Sequence, residues 1–204
     1  MPEGPIETGA RRRDSALTRA AILNAATRRF ARQGYEHAGV REIAADAGVT
    51  AALVNRYFES KEGLFAEVIE EAFELRSYLE GDPATLATRL ARLLVYGRED
   101  DPDEGRTPLL LLLRSATEPR AAEMLRLRLE KNNLQPLAEQ LGGPDAGVRA
   151  ALIIAQLTGF AIMDQTIRPQ ALAEADREQL VAYLSESLAV CIGRTARPGR
   201  RKRT

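Results

Sequence analysis

The sequence has very few of the residues that build disulfide frameworks and metal centres. Among its 204 residues are one cysteine, one histidine and no tryptophan. Cys191 alone cannot form an internal disulfide, and it lies in an apolar run, so we interpret it as a packing residue of a protein in a reducing compartment. His37 has no second histidine or cysteine with which to form a metal or nucleophile site. We therefore expect no enzyme, no metal and no cofactor.

A net charge is also lacking, because 29 basic residues balance 29 acidic ones. Binding to nucleic acid or to an anionic membrane must then come from local patches. Arginines occupy positions 11–13, and basic residues recur from Arg194 to Arg203. We expect segments 1–16 and 194–204 to be disordered basic arms. They are either solvated chain ends or, for the first cluster, contacts to DNA phosphates.

Long apolar runs and a leader pattern are missing as well. The run Leu109–Leu113 is far shorter than the ~20 residues that span a bilayer. Met1–Ala10 contains prolines, glycines and acids where a signal peptide has a charged and then an apolar stretch. These features predict a cytoplasmic protein without a membrane partner.

Alternating strand patterns do not occur, whereas apolar residues recur with helical spacing along nearly the whole chain. The sequence therefore predicts an all-α fold of about nine helices. Their expected bounds are Thr18–Arg32, Val40–Ala47, Thr50–Tyr57, Lys61–Leu79, Pro83–Tyr96, Pro108–Ala116, Pro119–Leu141, Ala146–Ile167 and Arg177–Ile192. Pro136 should kink the seventh of these helices, because proline removes a backbone donor.

The first three predicted helices have the spacing of a helix-turn-helix motif. Ile22, Ala26 and Phe30 form the inner stripe of the first helix, and Ile43 lies on that of the second. Gly48 permits the sharp turn, and the next residues start a short third helix, TAALVNRYF. Such a helix can enter a major groove.

The third helix has an apolar inner side and a polar outer side. Val54 and Phe58 face inward at positions i and i+4. Asparagine can pair with adenine and arginine with guanine, and a lysine at a helix start favours a phosphate. The predicted DNA-binding residues are Arg41, Thr50, Ala51, Asn55, Arg56, Tyr57 and Lys61. Arg41, like Arg28 and Arg29, can also be read as part of a solvated face.

The stretch GYEHAGVREIAADAGV, an eight-residue helix and then YFESKEGLFAEV together resemble the DNA-binding domain of the TetR family. The sequence departs from the family pattern at Asn55, where a tyrosine is usual, and at Gly39, where a threonine or serine usually caps the second helix. Asn55 is thus either a specificity residue or a phosphate contact. The resemblance implies a homodimeric repressor with a helix-turn-helix domain at 17–62 and an effector-binding and dimerisation domain at 63–193.

The last two long helices are apolar on more than one face, which suggests a partner surface, although fully internal helices would show the same pattern. TetR-like proteins dimerise through these two helices, so the resemblance favours a homodimer on a palindromic operator. The predicted interface residues are Ala151, Ala155, Gly159, Ile162, Leu180, Leu184 and Leu188.

An effector site is predicted among apolar residues of the larger domain and one arginine. The candidates are Leu94, Leu111, Arg114, Met124, Leu127, Phe160 and Met163. Methionine and aromatic residues at helical spacing also occur as ordinary core. Arg114 can pair with an acidic effector or with Glu118 four residues later. The small-molecule effector itself is unknown from the sequence.

Three functional classes are open to an all-helical chain: an enzyme, an interaction module and a regulator. An enzyme has little support because the carboxylates read as helix surfaces. A helical interaction module that never binds DNA would lack the steep salt dependence that phosphate contacts produce. Among regulators, an activator and a repressor that senses no ligand stay open beside the effector-released repressor.

Overall fold

The computed structural model describes residues 6–97 and 106–193, with the side chains of residues 14–97 and 109–193. All regular structure in these ranges is helical, which confirms the predicted fold class. The helices up to residue 97 are α1 (Ile6–His37), α2 (Val40–Asp46), α3 (Ala51–Phe58), α4 (Lys61–Ala72), α5 (Arg76–Leu79) and α6 (Leu86–Tyr96), the last preceded by a 3₁₀ turn at Pro83–Thr85. Those that follow are α7 (Arg106–Ser115), α8 (Pro119–Leu129), α9 (Gln135–Leu141), α10 (Ala146–Ala161), α11 (Gln170–Ala173) and α12 (Arg177–Ile192).

Helix α1 starts earlier than the sequence predicted. It begins at Ile6 and continues to His37, across a non-helical Gly34 at φ 77°. Residues 6–16 were expected to belong to a disordered arm but are helical, in keeping with the high helix propensity of alanine and arginine. Residues 1–5 and the predicted basic tail at 194–204 lie outside the described residues.

The predicted helix Lys61–Leu79 is interrupted. It divides into α4, which ends at Ala72, and the single turn of α5. At the break the buried Asn133 donates from Nδ2 to the Phe73 carbonyl at 2.6 Å, and the Glu74 carboxylate accepts from the Ser77 N–H at 3.1 Å. These side chains satisfy backbone groups that a continuous helix would have paired with each other.

Two further helices change their winding. Between α8 and α9 the chain is π-helical at Glu130–Leu134, directly before the predicted kink at Pro136. Proline cannot donate to the preceding turn, and a wider turn accommodates its ring. Helix α10 likewise ends at Ala161 and continues as a π-helical stretch at Ile162–Ile167. Helix α12 has the predicted bounds, and its Asp176 cap accepts from the Gln179 N–H at 2.9 Å.

The described residues form two compact units. The first unit comprises residues 6–72 and 110–125, and its core holds the side chains of Ile22, Ile43 and Leu64. Phe30, Tyr35 and Phe65 form an aromatic cluster there, in which the Phe30 and Phe65 ring centroids are 4.9 Å apart. We call α1, α2 and α3 the head.

The second unit comprises residues 73–97, 106–109 and 126–193. Its main core joins α6, α9, α10 and α12 through buried residues that include Leu86, Leu90, Leu137, Ile153 and Leu188. The buried Arg149 donates to the carbonyls of Cys191 at 3.0 Å and of Gly142, and to the Asp145 carboxylate at 2.9 Å. The ends of α9 and α12 are thereby tied to the first turn of α10.

Candidate functional site

The turn between α2 and α3 is fixed by backbone geometry. Gly48 has φ +68°, in the region that favours glycine, and the Val49 N–H donates to the Ala44 carbonyl at 2.9 Å. Gly39 begins α2 without a side-chain cap, but the Glu42 carboxylate accepts from its N–H at 3.3 Å. The glutamate thus supplies half of the capping interaction that a threonine or serine would complete.

Helix α3 is oriented by its own cap and by its buried side. Thr50 accepts from the Leu53 N–H at 3.3 Å, so its hydroxyl has the capping role predicted from the sequence. Val54 and Phe58 are buried, as predicted. Asn55 and Arg56 are consequently exposed on the opposite side, where two residue types that can read base edges stand next to each other. Ala51 is half-buried at the helix start.

Tyr57 is held by a residue that the sequence reasoning missed. Its hydroxyl lies 2.9 Å from the Ser15 hydroxyl, and the Arg56 guanidinium is 5.5 Å from its ring centroid. Ser15 lies on the early part of α1 that was expected to be disordered. No pattern in the sequence could have indicated this contact, because the two residues are 42 positions apart.

Lys61 and Arg41 differ in their availability for a phosphate. Arg41 is exposed in the first turn of α2. Lys61 is half-buried, donates from Nζ to the Glu36 carbonyl at 3.0 Å and lies 4.6 Å from the Tyr35 ring centroid. Lys61 therefore has intramolecular partners that a phosphate must share or displace.

The joint between α3 and α4 is tight. Glu59 adopts φ 63° and ψ −47°, and the Ser60 N–H donates to the Phe58 carbonyl at 2.6 Å, which together form a γ-turn of the rare positive-φ kind. A Cβ on Gly63 would lie only 2.3 Å from the Phe58 carbonyl oxygen. The Ser60 hydroxyl accepts from the Gly63 N–H at 3.0 Å. Glycine at 63 is thus a steric requirement of this joint.

Arg29 has a structural role between α1 and α2. Its Nη2 donates to Asp46 at 3.0 Å and its Nε bonds the other carboxylate oxygen, an arrangement that is bidentate. Chiefly through this hydrogen bonding, the pKa of Asp46 is lowered and the pKa of Arg29 is raised. Arg29 is therefore committed to holding α2, while Arg28 is exposed.

The predicted effector residues are divided between the units. Leu111, Arg114 and Met124 belong to the first unit, and Leu94, Leu127, Phe160 and Met163 belong to the second. Leu111 is fully buried, and Leu94 and Phe160 pack against buried clusters, so these three have core roles. The alternative partner of Arg114, Glu118, instead accepts from the Arg120 N–H at 3.1 Å at the start of α8.

Two of the predicted dimer-interface residues face the core of their own protomer. Leu180 and Leu188 are 7% and 0% exposed, which corrects their assignment to a partner surface. A helical period of 3.6 residues places them on the side of α12 that packs on α6 and α10. Ala151, Ala155 and Gly159 are exposed, whereas Ile162 and Leu184 are half-buried.

The last two long helices nevertheless expose large apolar side chains. In α10 and its π-helical continuation these are Val148 (65%), Leu152 (51%) and Met163 (39%). In α12 they are Tyr183 (62%) and Val190 (64%). By length and composition alone, Ala146–Ile167 could cross a membrane, since its most apolar window has a mean hydropathy of 1.6 and is 22% buried. This window contains polar residues between its apolar ones, so it is not one uninterrupted apolar run. An incompletely covered apolar helix needs a partner of some kind.

A capped, outward-facing short helix behind a glycine turn defines the class: a helix-turn-helix DNA-binding regulator. Comparison with known families agrees. Residues 22–68 match bacterial regulatory proteins of the tetR family, and residues 84–192 match the tetracyclin repressor-like C-terminal domain. The chain belongs to the TetR family. This membership confirms the family inferred from the sequence and places the protein among DNA-binding regulators, not enzymes.

Individual relatives are similar over different lengths. An HTH-type transcriptional repressor of Streptomyces coelicolor is 36% identical over 85 residues, which cover 41% of this chain and 44% of that protein, less than half its length. A TetR-family regulator from the same species has 25% identity, covers 95% of this chain and 99% of its own, and has a TM-score of 0.57. A transcriptional regulator from Rhodococcus has 29% identity, coverages of 86% and 94%, and a TM-score of 0.54.

Proposed function

We propose that the protein is a homodimeric transcriptional repressor in the cytoplasm, bound to a palindromic operator and released from it by a small-molecule effector. The observation that carries the proposal is the outer face of α3, where Asn55 and Arg56 are exposed on a helix whose inner face is buried. The relative that is 36% identical over 85 residues is a transcriptional repressor, which supports the same direction of regulation.

In this proposal, Asn55 and Arg56 contact base edges, whereas Arg41, Thr50, Ala51 and Tyr57 approach the sugar–phosphate backbone. Asparagine and arginine can each make a bidentate contact to one base, worth ~1–3 kcal/mol of discrimination. Lys61 can bind a phosphate either beside the Glu36 carbonyl or in exchange for it, because its ammonium group has three N–H donors.

Dimerisation is supported by the exposed apolar residues of α10 and α12. Small residues at 151, 155 and 159 lie on the exposed side of α10, and they would allow a second helix to approach closely. A second copy of the chain would cover the same surface on both protomers through a twofold axis. Two heads would then bind half-sites one turn apart, ~34–36 Å, or a multiple of it.

Effector release is proposed to act through the spacing of the two heads. The γ-turn at Phe58–Ser60 and the close approach at Gly63 hold α3 to the start of α4. A tilt of α4 would therefore carry the recognition helix with it. A mismatch between the head spacing and the duplex can lower operator affinity by ~1–3 kcal/mol without altering any DNA contact.

The test of DNA recognition is selection of duplexes from a random pool, followed by affinity measurements at several salt concentrations. We expect Asn55→Ala and Arg56→Ala to lose ~1–3 kcal/mol and to relax preference at particular base pairs. Arg41→Ala should weaken all duplexes alike and reduce the salt slope. Arg76→Ala, which removes an exposed arginine from α5 in the second unit, is the matched control. A pool in which no sequence is enriched would contradict the proposal.

The effector part is tested by linkage. A screen for compounds that dissociate the selected duplex identifies an effector, and its affinity is then measured with and without that duplex. Operator DNA must weaken the effector by the same factor by which the effector weakens DNA. Equal effector affinities in the two titrations would rule this coupling out. A screen in which no compound dissociates the duplex would leave a ligand-insensitive repressor or an activator as the alternatives.

A further inference from the structure

The segment at 110–125 belongs to the first unit, although the sequence analysis placed it in the larger domain. It approaches α1 at one point and α4 at another. The Arg114 Cβ lies 3.9 Å from where a Cβ on Gly34 would be, so the end of α7 passes close to the end of α1. In the first turn of α8, Arg120 Nη2 lies 2.7 Å from Glu62 Oε1 in the first turn of α4.

Glu62 is the residue on which these elements converge. Its own backbone N–H, the Tyr35 hydroxyl and the Arg120 guanidinium all favour its charged form and lower its pKa. Tyr35 is buried in the aromatic cluster at the end of α1. One carboxylate therefore connects α1, α4 and α8.

Two helices of the first unit lead along the chain towards the second. Helix α4 ends at Ala72, where the first unit also ends. Helix α8 passes the boundary after Leu125 without a break and continues to Leu129. Arg120 therefore lies on the part of α8 that belongs to the first unit.

We infer that Arg120 is a positioning residue for the recognition helix. Its bridge to Glu62 fixes the start of α4, and with it the recognition helix that α4 follows, relative to α8. The inference rests on the proposed function. It assigns the orientation of the start of α4 to one ion pair.

The exposure of the pair separates positioning from stability. The side chains of Arg120 and Glu62 are 63% and 38% exposed, and ion pairs of this kind contribute little to folding. Loss of the bridge should leave the protein folded. Binding of two heads to one duplex depends on orientation, so affinity should fall where stability does not.

The experiment compares Arg120→Ala, Arg120→Lys and the control Arg76→Ala with the wild-type chain. Each is made in a Cys191→Ser, Ala45→Cys background, where Ala45 is an exposed α2 residue that carries a nitroxide label. Electron–electron double resonance measures the distance between the two labelled heads of the dimer. Affinity is measured for the duplex that the wild-type chain selects from the random pool.

We expect Arg120→Ala to broaden the distance distribution and to lower operator affinity about 5-fold, with an unchanged melting temperature. Arg120→Lys should keep most of the affinity, and Arg76→Ala should keep all of it. In a Glu62→Gln background, Arg120→Ala should cause no further loss, because the bridge is already broken.

A distance distribution and an affinity equal to wild type in Arg120→Ala would overturn the inference and leave the proposed function intact. An equal loss from Arg120→Ala with and without Glu62 would also overturn it, since Arg120 would then act by another contact. A wild-type chain that selects no duplex would overturn the proposed function, and the inference with it.

Discussion

The head and the pair α10 and α12 are both apolar on their inner sides, but they differ in what their outer sides present. The outer face of α3 is polar, and its apolar residues Val54 and Phe58 are covered by the same chain. The outer sides of α10 and α12 present Leu152, Tyr183 and Val190 to solvent. The apolar residues of the head are therefore covered within one protomer, whereas the exposed apolar residues of α10 and α12 need a further surface to cover them.

The largest expected effect concerns the inner side of the second unit. Arg149→Met should lower the free energy of unfolding by ~3 kcal/mol, because methionine fills much of the space but leaves the Cys191 and Gly142 carbonyls without their donor. Urea unfolding measures the loss. Arg92→Met, which breaks the exposed pair with Glu178, should cost less than ~1 kcal/mol. Equal losses would show that burial of the arginine is unimportant.

The second effect concerns the outer side. Leu152→Glu should weaken the dimer by ~2 kcal/mol or more. A C2 interface contains the substituted position once from each protomer, and burying an unpaired carboxylate at each is costly. Sedimentation velocity over a concentration series measures the dissociation. Leu17→Glu, at an exposed leucine that is located in the head, is the control and should stay dimeric. A Leu152→Glu chain that dimerises as well as wild type would place the interface elsewhere.

Gly63 and Gly147 differ in the space around their Cα atoms, which is filled at Gly63 and open at Gly147. Gly63→Ala should destabilise the protein by ~1–3 kcal/mol, because the new Cβ would meet the Phe58 carbonyl. Gly147→Ala in α10 meets nothing within 4 Å and should stabilise it by up to ~1 kcal/mol. Thermal unfolding of the two variants should therefore shift in opposite directions. Shifts of the same sign would contradict the close approach at Gly63.

The smallest effect is a pH dependence of the head. Burial first, and then the hydrogen bond to Glu62, raise the pKa of Tyr35 from 10.0 to about 12. The folded chain holds this proton more tightly than the unfolded chain, so the stability that Tyr35 contributes is full below pH 10 and is lost as the pH rises towards 12. Ultraviolet titration of the phenolates should show a late tyrosine that Tyr35→Phe removes. Glu62→Gln should lower that pKa, and an unchanged titration would contradict the hydrogen bond.

The sequence was sufficient where the determinants are local. Gly48, the Thr50 cap, the inner residues Val54 and Phe58, and the bounds of α12 all follow from neighbours within a few positions. The family was recognisable for the same reason, because its motif lies within about fifty consecutive residues, which the match at 22–68 covers. Such features depend on backbone conformation and on helical period, and both can be read from the order of residues.

The remaining features depend on contacts between distant residues. The end of α4 at Ala72 depends on the amide of Asn133, 60 residues after Phe73, and the Arg120–Glu62 bridge joins helices that are far apart in the chain. The inward facing of Leu180 and Leu188 depends on which side of an all-round apolar helix meets α6. A helix with two apolar sides gives the sequence no means of choosing between them.

The γ-turn at Phe58–Ser60 joins α3 to the start of α4 so tightly that the two helices move together. The twelve residues of α4 span roughly 18 Å, so a tilt of about 5° displaces the far end by roughly 1.5 Å. Because the junction is tight, α3 tilts by the same angle as α4, and the direction in which Asn55 points changes. Recognition therefore depends on the angle at which α3 is held. Glu59 sets that angle, because its positive φ, at a cost of ~1–3 kcal/mol, closes the turn between the two helices.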